Sequence, residues 1–172
     1  MYAMKFLFPI LIVLTLPVRA QTGPVVTRLA LNEVPAAVAS SFGKDFPGVQ
    51  VIQWEKHTQR SYTKLVAIFD QDGIRRRARY QPDGTGISAS SYYLFNRLQQ
   101  LPEAIQKFAR DRHPDYRLGS GERIVSLRSG DSIYRIRLRK GASLLVVYLN
   151  ESGVEMDKTK LARELTDDEI DN

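Results

Sequence analysis

Few residues in this 172-residue chain are spaced for chemistry. Asp70-x-Asp72-Gly73 has the opening of a calcium loop, two carboxylates one residue apart before a glycine. Ile74 and Gln81 stand where later oxygen ligands belong, so the segment is expected to be a hairpin turn. The two histidines lie apart. His57 sits among Lys56, Thr58, Gln59 and Arg60, which reads as a loop. His113 precedes Pro114 at a helix end, where a cation is mildly favoured. Ser88-Ala89-Ser90-Ser91 is not a nucleophile elbow and reads as an edge strand or loop. Gly84-Thr85-Gly86 lacks the strand–helix context of a phosphate-cradling loop. With no cysteine, thiol catalysis, zinc–thiolate sites and iron–sulfur clusters are excluded.

Arginine supplies the remaining chemistry. Arg75, Arg77 and Arg79 alternate along one apolar-bounded stretch, as do Arg135, Arg137 and Arg139 along another. Alternation at period two puts each trio on one face of a strand. The expected inward residues are Leu65, Ala67, Phe69, Ala78 and Tyr80 in the first half, and Tyr134, Ile136, Leu138, Val146 and Tyr148 in the second. Outward would point Lys64, Val66, Ile68, Arg75, Arg77 and Arg79, then Arg135, Arg137, Arg139, Leu145, Val147 and Leu149. Arg76 falls inward and is expected at the sheet margin. A polar alternating face is commonly plain solvated surface. Its pairing with exposed Val, Ile and Leu is also the composition of a protein-contact face, and arginine grips carboxylates with two parallel hydrogen bonds.

The elements that position these rows recur at an offset of 67 to 69 residues. Val34-Pro35-Ala36-Ala37-Val38 answers Leu101-Pro102-Glu103-Ala104-Ile105, and Pro47 answers Pro114. Leu65, Ala67 and Phe69 answer Tyr134, Ile136 and Leu138. Gly73 answers Gly141, Tyr80 answers Tyr148 and Gly84 answers Gly153. Each unit opens on a helix, with Pro35 or Pro102 in its first turn and Pro47 or Pro114 beyond its end. Strands are expected over 49–56, 62–69 and 74–81, then over 118–126, 132–139 and 142–150, with short fourth strands at 86–91 and 154–158. In the first strand, Val49, Val51 and Gln53 would share one face, with Ile52 and Trp54 on the other. The fold class is therefore α+β: two tandem helix-plus-antiparallel-sheet units, helices on one face, the other face open.

The order Val34-Pro35, Phe46-Pro47, Trp54-Glu55, Ala67-x-Phe69, Gly73, Tyr80, Asp83-Gly84, then Leu101-Pro102, Pro114, Tyr134-x-Ile136, Tyr148 and Gly153, resembles the bacterial PepSY-like, beta-lactamase-inhibitor-like family over about residues 34–157. The resemblance implies exported proteins with tandem helix-plus-sheet units and a concave sheet face. It implies no agreed activity and carries over no functional residue. His113 stands where an aromatic is usual, and the second unit has no counterpart of Trp54.

Residues 1–20 have the charge, apolar run and Val18-Arg19-Ala20 ending of a secretory signal peptide, which makes Gln21 the expected mature N-terminus. A lead over 21–33, repeats over 34–91 and 101–158, a linker over 92–100 and an acidic tail over 159–172 complete the division. Residues 28–157 hold 20 Lys/Arg against 14 Asp/Glu. A basic body favours acidic partners. The expected function is an exported, periplasmic or secreted, non-enzymatic binding module using the sheet face Arg75, Arg77, Arg79, Val66, Ile68, Arg135, Arg137, Arg139, Leu145, Val147 and Leu149. Its partner would be a protein or an anionic envelope component. Neither nucleic acid, cofactor, metal nor an integral membrane segment in the mature chain is expected. The alternatives are an inhibitor of a secreted or periplasmic enzyme, and a polyanion or envelope-surface binder.

Overall fold

A computed structural model describes residues 24–59 and 62–166. The signal-peptide segment and the last six residues of the acidic tail lie outside them. Eight strands form one antiparallel sheet in sequence order: β1 (Val25–Leu29), β2 (Val51–Gln59), β3 (Tyr62–Gln71), β4 (Ile74–Tyr80), β5 (Gly86–Leu94), β6 (Arg117–Ser126), β7 (Ser132–Lys140) and β8 (Ser143–Leu149). Helices α1 (Ala36–Asp45) and α2 (Glu103–Arg112) pack on one face. Pro35 and Pro102 occupy the position before each helix, where no amide donor is needed.

Two aromatic-rich cores lie under the helices. Val38 and Phe42 of α1 meet Trp54, Leu65, Ala67, Phe69, Ala78 and Tyr80. The Phe42 and Phe69 rings meet edge to face at 5.2 Å, a favourable quadrupole geometry. Tyr80 donates its hydroxyl proton to Asp45 at 2.9 Å, and burial, with the carboxylate beside it, holds that phenol above its usual pKa. Under α2, Ile105 and Ala109 meet Tyr93, Tyr134, Ile136, Leu138, Val147 and Leu149. Gly84 and Gly153 make matching approaches to the helices: a Cβ on either would lie 2.8 or 2.7 Å from the carbonyl oxygen of Ala37 or Ala104.

The elements depart from expectation in definite ways. The 21–33 lead contains β1, an edge strand. In β2 the register shifts between Val51 and Gln53, so Ile52 bulges to solvent while Val51 and Trp54 both serve the α1 core. The 86–91 segment is no edge. It is part of β5, which pairs with β4 and β6 and runs through the sheet centre. The linker over 92–100 is divided between the end of β5 and a 3₁₀ turn over Phe95–Gln100. Residues 154–158 make only an isolated bridge, Leu149 to Glu155. The chain from there crosses the face away from the helices as a strap, through a 3₁₀ turn (Lys158–Lys160) and the short helix α3 (Arg163–Thr166). Leu165, with Met156 and Leu161 beside it, packs on Ile124, Ile133 and Tyr148. The far face is therefore open only in part.

The largest correction concerns β8. Leu145, Val147 and Leu149 were expected to point outward, but they face α2, opposite Leu138, Ile136 and Tyr134. The β7–β8 turn explains it. Lys140 pairs with Ser143, leaving a two-residue loop, and that loop length matches even-numbered residues of β7 to odd-numbered ones of β8. Leu144, Val146 and Tyr148 take the far face instead. Arg76 lies on the helix side opposite Phe69, reaching Asp72 at 3.3 Å.

Candidate functional site

The far face collects the residues of opposite parity. On β3 and β4 these include Lys64, Val66, Ile68, Arg75, Arg77 and Arg79, as the alternation predicts. They do not form an exposed row. Val66 and Ile68 are buried, and so are Lys64 and Arg79. Arg75 is held by Asp70 at 2.6 and 3.2 Å. Arg77 lies over the Tyr92 ring at 5.3 Å.

At the sheet centre the buried charges form a network. Arg79 donates to Ser90 Oγ at 2.7 Å and to the Tyr92 hydroxyl at 3.2 Å. Glu122, 1% exposed, accepts from Arg135 Nε at 3.0 Å and from a second Arg135 nitrogen, and its other oxygen lies 4.0 Å from Arg79. Burial alone would lower the Arg135 pKa. The Glu122 carboxylate and Tyr148 outweigh it and hold the guanidinium above its usual value. Arg135 is thus a buried structural cation, not the exposed contact expected of it. Two arginines thus face one carboxylate at the sheet centre.

His57 belongs to β2, not to a loop. It is buried on the far face, with Nε2 2.8 Å from Glu55. His113 closes α2 between the rings of Phe108 and Tyr116, at 5.6 and 5.9 Å. Asp72 and Gly73 form the β3–β4 turn with φ of 55° and 71°, as the turn reading requires.

Beyond the strap, the far face opens into a cleft of about 1230 Å³ over the ends of β5–β8. Arg137 and Arg139 of the predicted set line it, joined by Arg117 of β6 and Lys158 of the strap. Val147 contributes to the wall while its side chain belongs to the α2 core. The apolar lining includes Leu94, Phe95, Leu144, Val146 and Tyr148, with Leu98 and Met156, and Glu155 and Asp157 stand on the strap side. Lys158 lies over the Tyr148 ring at 5.7 Å. The Arg139 stem passes Gly119, where an added Cβ would sit 3.5 Å from its Cδ. Arg117 and Arg139 make no ion pair among the described residues. The structure thus separates the eleven predicted residues into three groups. Arg137 and Arg139 reach the cleft. Arg75, Arg77, Arg79, Val66, Ile68 and Arg135 are engaged elsewhere on the far face. Leu145, Val147 and Leu149 are core.

Sequence reasoning missed Leu94, Phe95, Arg117, Leu144, Val146, Glu122 and Lys158. Loop-length parity at Lys140–Ser143 would have found Leu144 and Val146. Arg117 and Lys158 carry no local signal, because a β-bulge and the strap bring them in. A groove lined by arginines and exposed aliphatic side chains can bury apolar side chains while pairing carboxylates.

No protein-family model and no curated protein sequence matches the chain. Solved structures match its fold. A DUF2874 family protein of Bacteroides ovatus is 13% identical, with TM-score 0.60 over 72% of this chain and 84% of that one. A candidate periplasmic protein of Bacteroides eggerthii is 19% identical, with TM-score 0.59 over 72% and 86%. A BLIP-like protein of Bacteroides fragilis is 14% identical, with TM-score 0.58 over 70% and 82%. The chain therefore has the fold of the DUF2874 and BLIP-like proteins.

Proposed function

We propose that the protein is an exported, non-enzymatic binding module that seats a segment of a partner protein in the far-face cleft. One observation carries this reading. Leu94, Phe95, Leu144 and Val146 are 44%, 84%, 50% and 39% exposed, and they stand among Arg117, Arg137, Arg139 and Lys158 in one groove. Exposed apolar side chains cost solubility, and grouped with arginine they match the composition of contact surfaces. Export is supported by the 1–20 leader pattern and by the B. eggerthii neighbour. The matching approaches of Gly84 to Ala37 and Gly153 to Ala104 support reading the halves as two versions of one unit.

A second reading, inhibition of an exported enzyme, is favoured by the BLIP-like neighbour and would use the same cleft. A uniform polyanion suits the cleft less well. It gains nothing from the exposed apolar residues and meets Glu155 and Asp157 at the strap side.

A photo-crosslinking amino acid placed at Val146, and separately at exposed Ser40 on α1, tests the reading in cells that export the protein. The expected result is a discrete protein adduct from Val146 alone, lost when Arg117 and Arg139 are both replaced by Ser. Equal adducts from both positions, or none from Val146, would overturn it.

A further inference from the structure

We propose that Phe95 is the anchor of this cleft: an aromatic side chain held out against the preference of its own backbone, to be buried by an acidic, apolar-bearing segment of a partner protein. The inference rests on the reading of the cleft as a binding face.

The first observation is conformational. Leu94 ends β5 in extended geometry, and Phe95 then adopts φ 47°, in the left-handed region. Side chains with a Cβ are disfavoured there because the Cβ crowds the following carbonyl. Among the described residues the other non-glycine residue with positive φ is Asp72, at φ 55°. Asp72 has a local reason. It lies in a two-residue hairpin loop that demands positive φ, and aspartate tolerates that conformation. Phe95 has none of these features. The turn after β5 needs positive φ, and Gly or Asn would supply it with less strain.

The second observation is that the fold takes nothing back. Phe95 is 84% exposed, the most exposed of the large apolar side chains among the described residues. It belongs to neither helix-side core, whereas Leu98, three residues on, packs under α2. An exposed aromatic in a strained conformation carries a backbone cost and gains almost nothing from burial in return. Strain of this kind, observed and uncompensated, marks functional positions.

The surroundings indicate the partner. Phe95 shares the cleft with Leu94, Leu144 and Val146, so it can close over an apolar side chain entering the groove. Arg117 and Arg139, without ion pairs among the described residues, call for carboxylates beside that side chain. Aromatic and arginine anchors in one pocket are the usual composition of an interface hot spot.

The test needs two readouts on Phe95→Gly. The first is thermal unfolding, which needs no ligand. Relief of the left-handed strain should raise Tm by about 2–4 °C, whereas a structural Phe would give a fall. The second is a titration of the ¹⁵N-labelled protein with a synthetic peptide of alternating Glu and Leu, and with a Lys–Leu control. The Glu–Leu peptide should shift the amides of Phe95, Leu144 and Val146 in the native protein, and its apparent affinity should fall at least tenfold in Phe95→Gly. The Lys–Leu peptide, which meets carboxylates only at the strap side, should bind at least tenfold more weakly. A lower Tm, or peptide binding unchanged in Phe95→Gly but lost when Arg117 and Arg139 become Ser, would overturn the anchor and leave the cleft reading standing. Absence of cleft shifts with the Glu–Leu peptide would overturn the partner chemistry. Failure of the Val146 crosslink is a separate result and would remove the reading beneath both.

Discussion

The two halves solve one packing problem with exchanged volumes. In the first, Trp54 on β2 stands opposite Ala67 on β3, beneath Val34. In the second, Gly121 on β6 stands opposite Ile136 on β7, beneath Leu101. A Cβ on Gly121 would fall 2.7 Å from Leu101 Cδ1, so the leucine fills the space the glycine leaves. The large residue has moved from the first strand of the pair to the second, and the residue two before the helix has grown by a methylene. Close packing under a helix is met by different residue combinations, so long as a large side chain on one element faces a small one on another. The far faces differ more. The first half encloses its arginines with Asp70, Tyr92, Ser90 and Glu122, whereas the second leaves Arg117 and Arg139 at an open cleft.

The largest effect should come from the network shared by both halves. Glu122→Ala leaves Arg79 and Arg135 buried without their carboxylate, and should cost about 3–5 kcal/mol in denaturant melts. The exposed Asp70–Arg75 pair should be worth less than about 1 kcal/mol in Asp70→Asn. A similar loss at both would mean that the centre is not the common keystone.

Gly84→Ala and Gly153→Ala test the likeness of the halves. Both place a Cβ against a helix carbonyl at positive φ, so each should cost about 2–5 kcal/mol, combining backbone strain and overlap. Denaturation midpoints falling for one and not the other would break the correspondence.

Gly121→Ala sharpens the volume exchange. Alone it should cost about 1–3 kcal/mol through overpacking, and adding Leu101→Val, the residue type at position 34, should recover part of that loss. Additive losses in the double variant would show that the two side chains do not share one space.

The smallest effect belongs to the cleft. Arg117→Ser and Arg139→Ser should each change stability by less than about 0.5 kcal/mol, because both side chains are exposed and make no ion pair among the described residues. A larger loss in thermal melts would make them structural, like Arg135.

Much of the molecule was legible because its causes are local. The prolines before and after each helix and the Asp72-Gly73 turn act over a few residues, and the structure has them where expected. The edge-to-face meeting of Phe42 with Phe69 is a product of helical and strand periodicity acting together. The β8 assignment failed on an instructive match. Gly73 and Gly141 are 68 apart, as are Tyr80 and Tyr148, yet paired strand positions such as Leu65 and Tyr134 differ by 69. The glycines are displaced because the turns differ. One needs positive φ at both central residues, Asp72 and Gly73, and the other at Gly141 alone. Turn residues report turn type, and turn length sets the register. In space Tyr80 therefore corresponds to Leu149, and Tyr148 points the other way.

By itself the sequence determined what neighbours along the chain can decide: two helices, most of the strands, and which residues of β3, β4 and β7 face the core. The tertiary structure alone decided which arginines are free to act. Arg79 and Arg135 differ from Arg139 in no local feature, since each sits in the same alternating pattern. They are separated by Glu122, on another strand, and by a strap from residues beyond 154, and no periodicity encodes a partner at that distance. Burial in a strand is a property of what crosses it, so the charged face became a cleft only when the whole sheet was assembled.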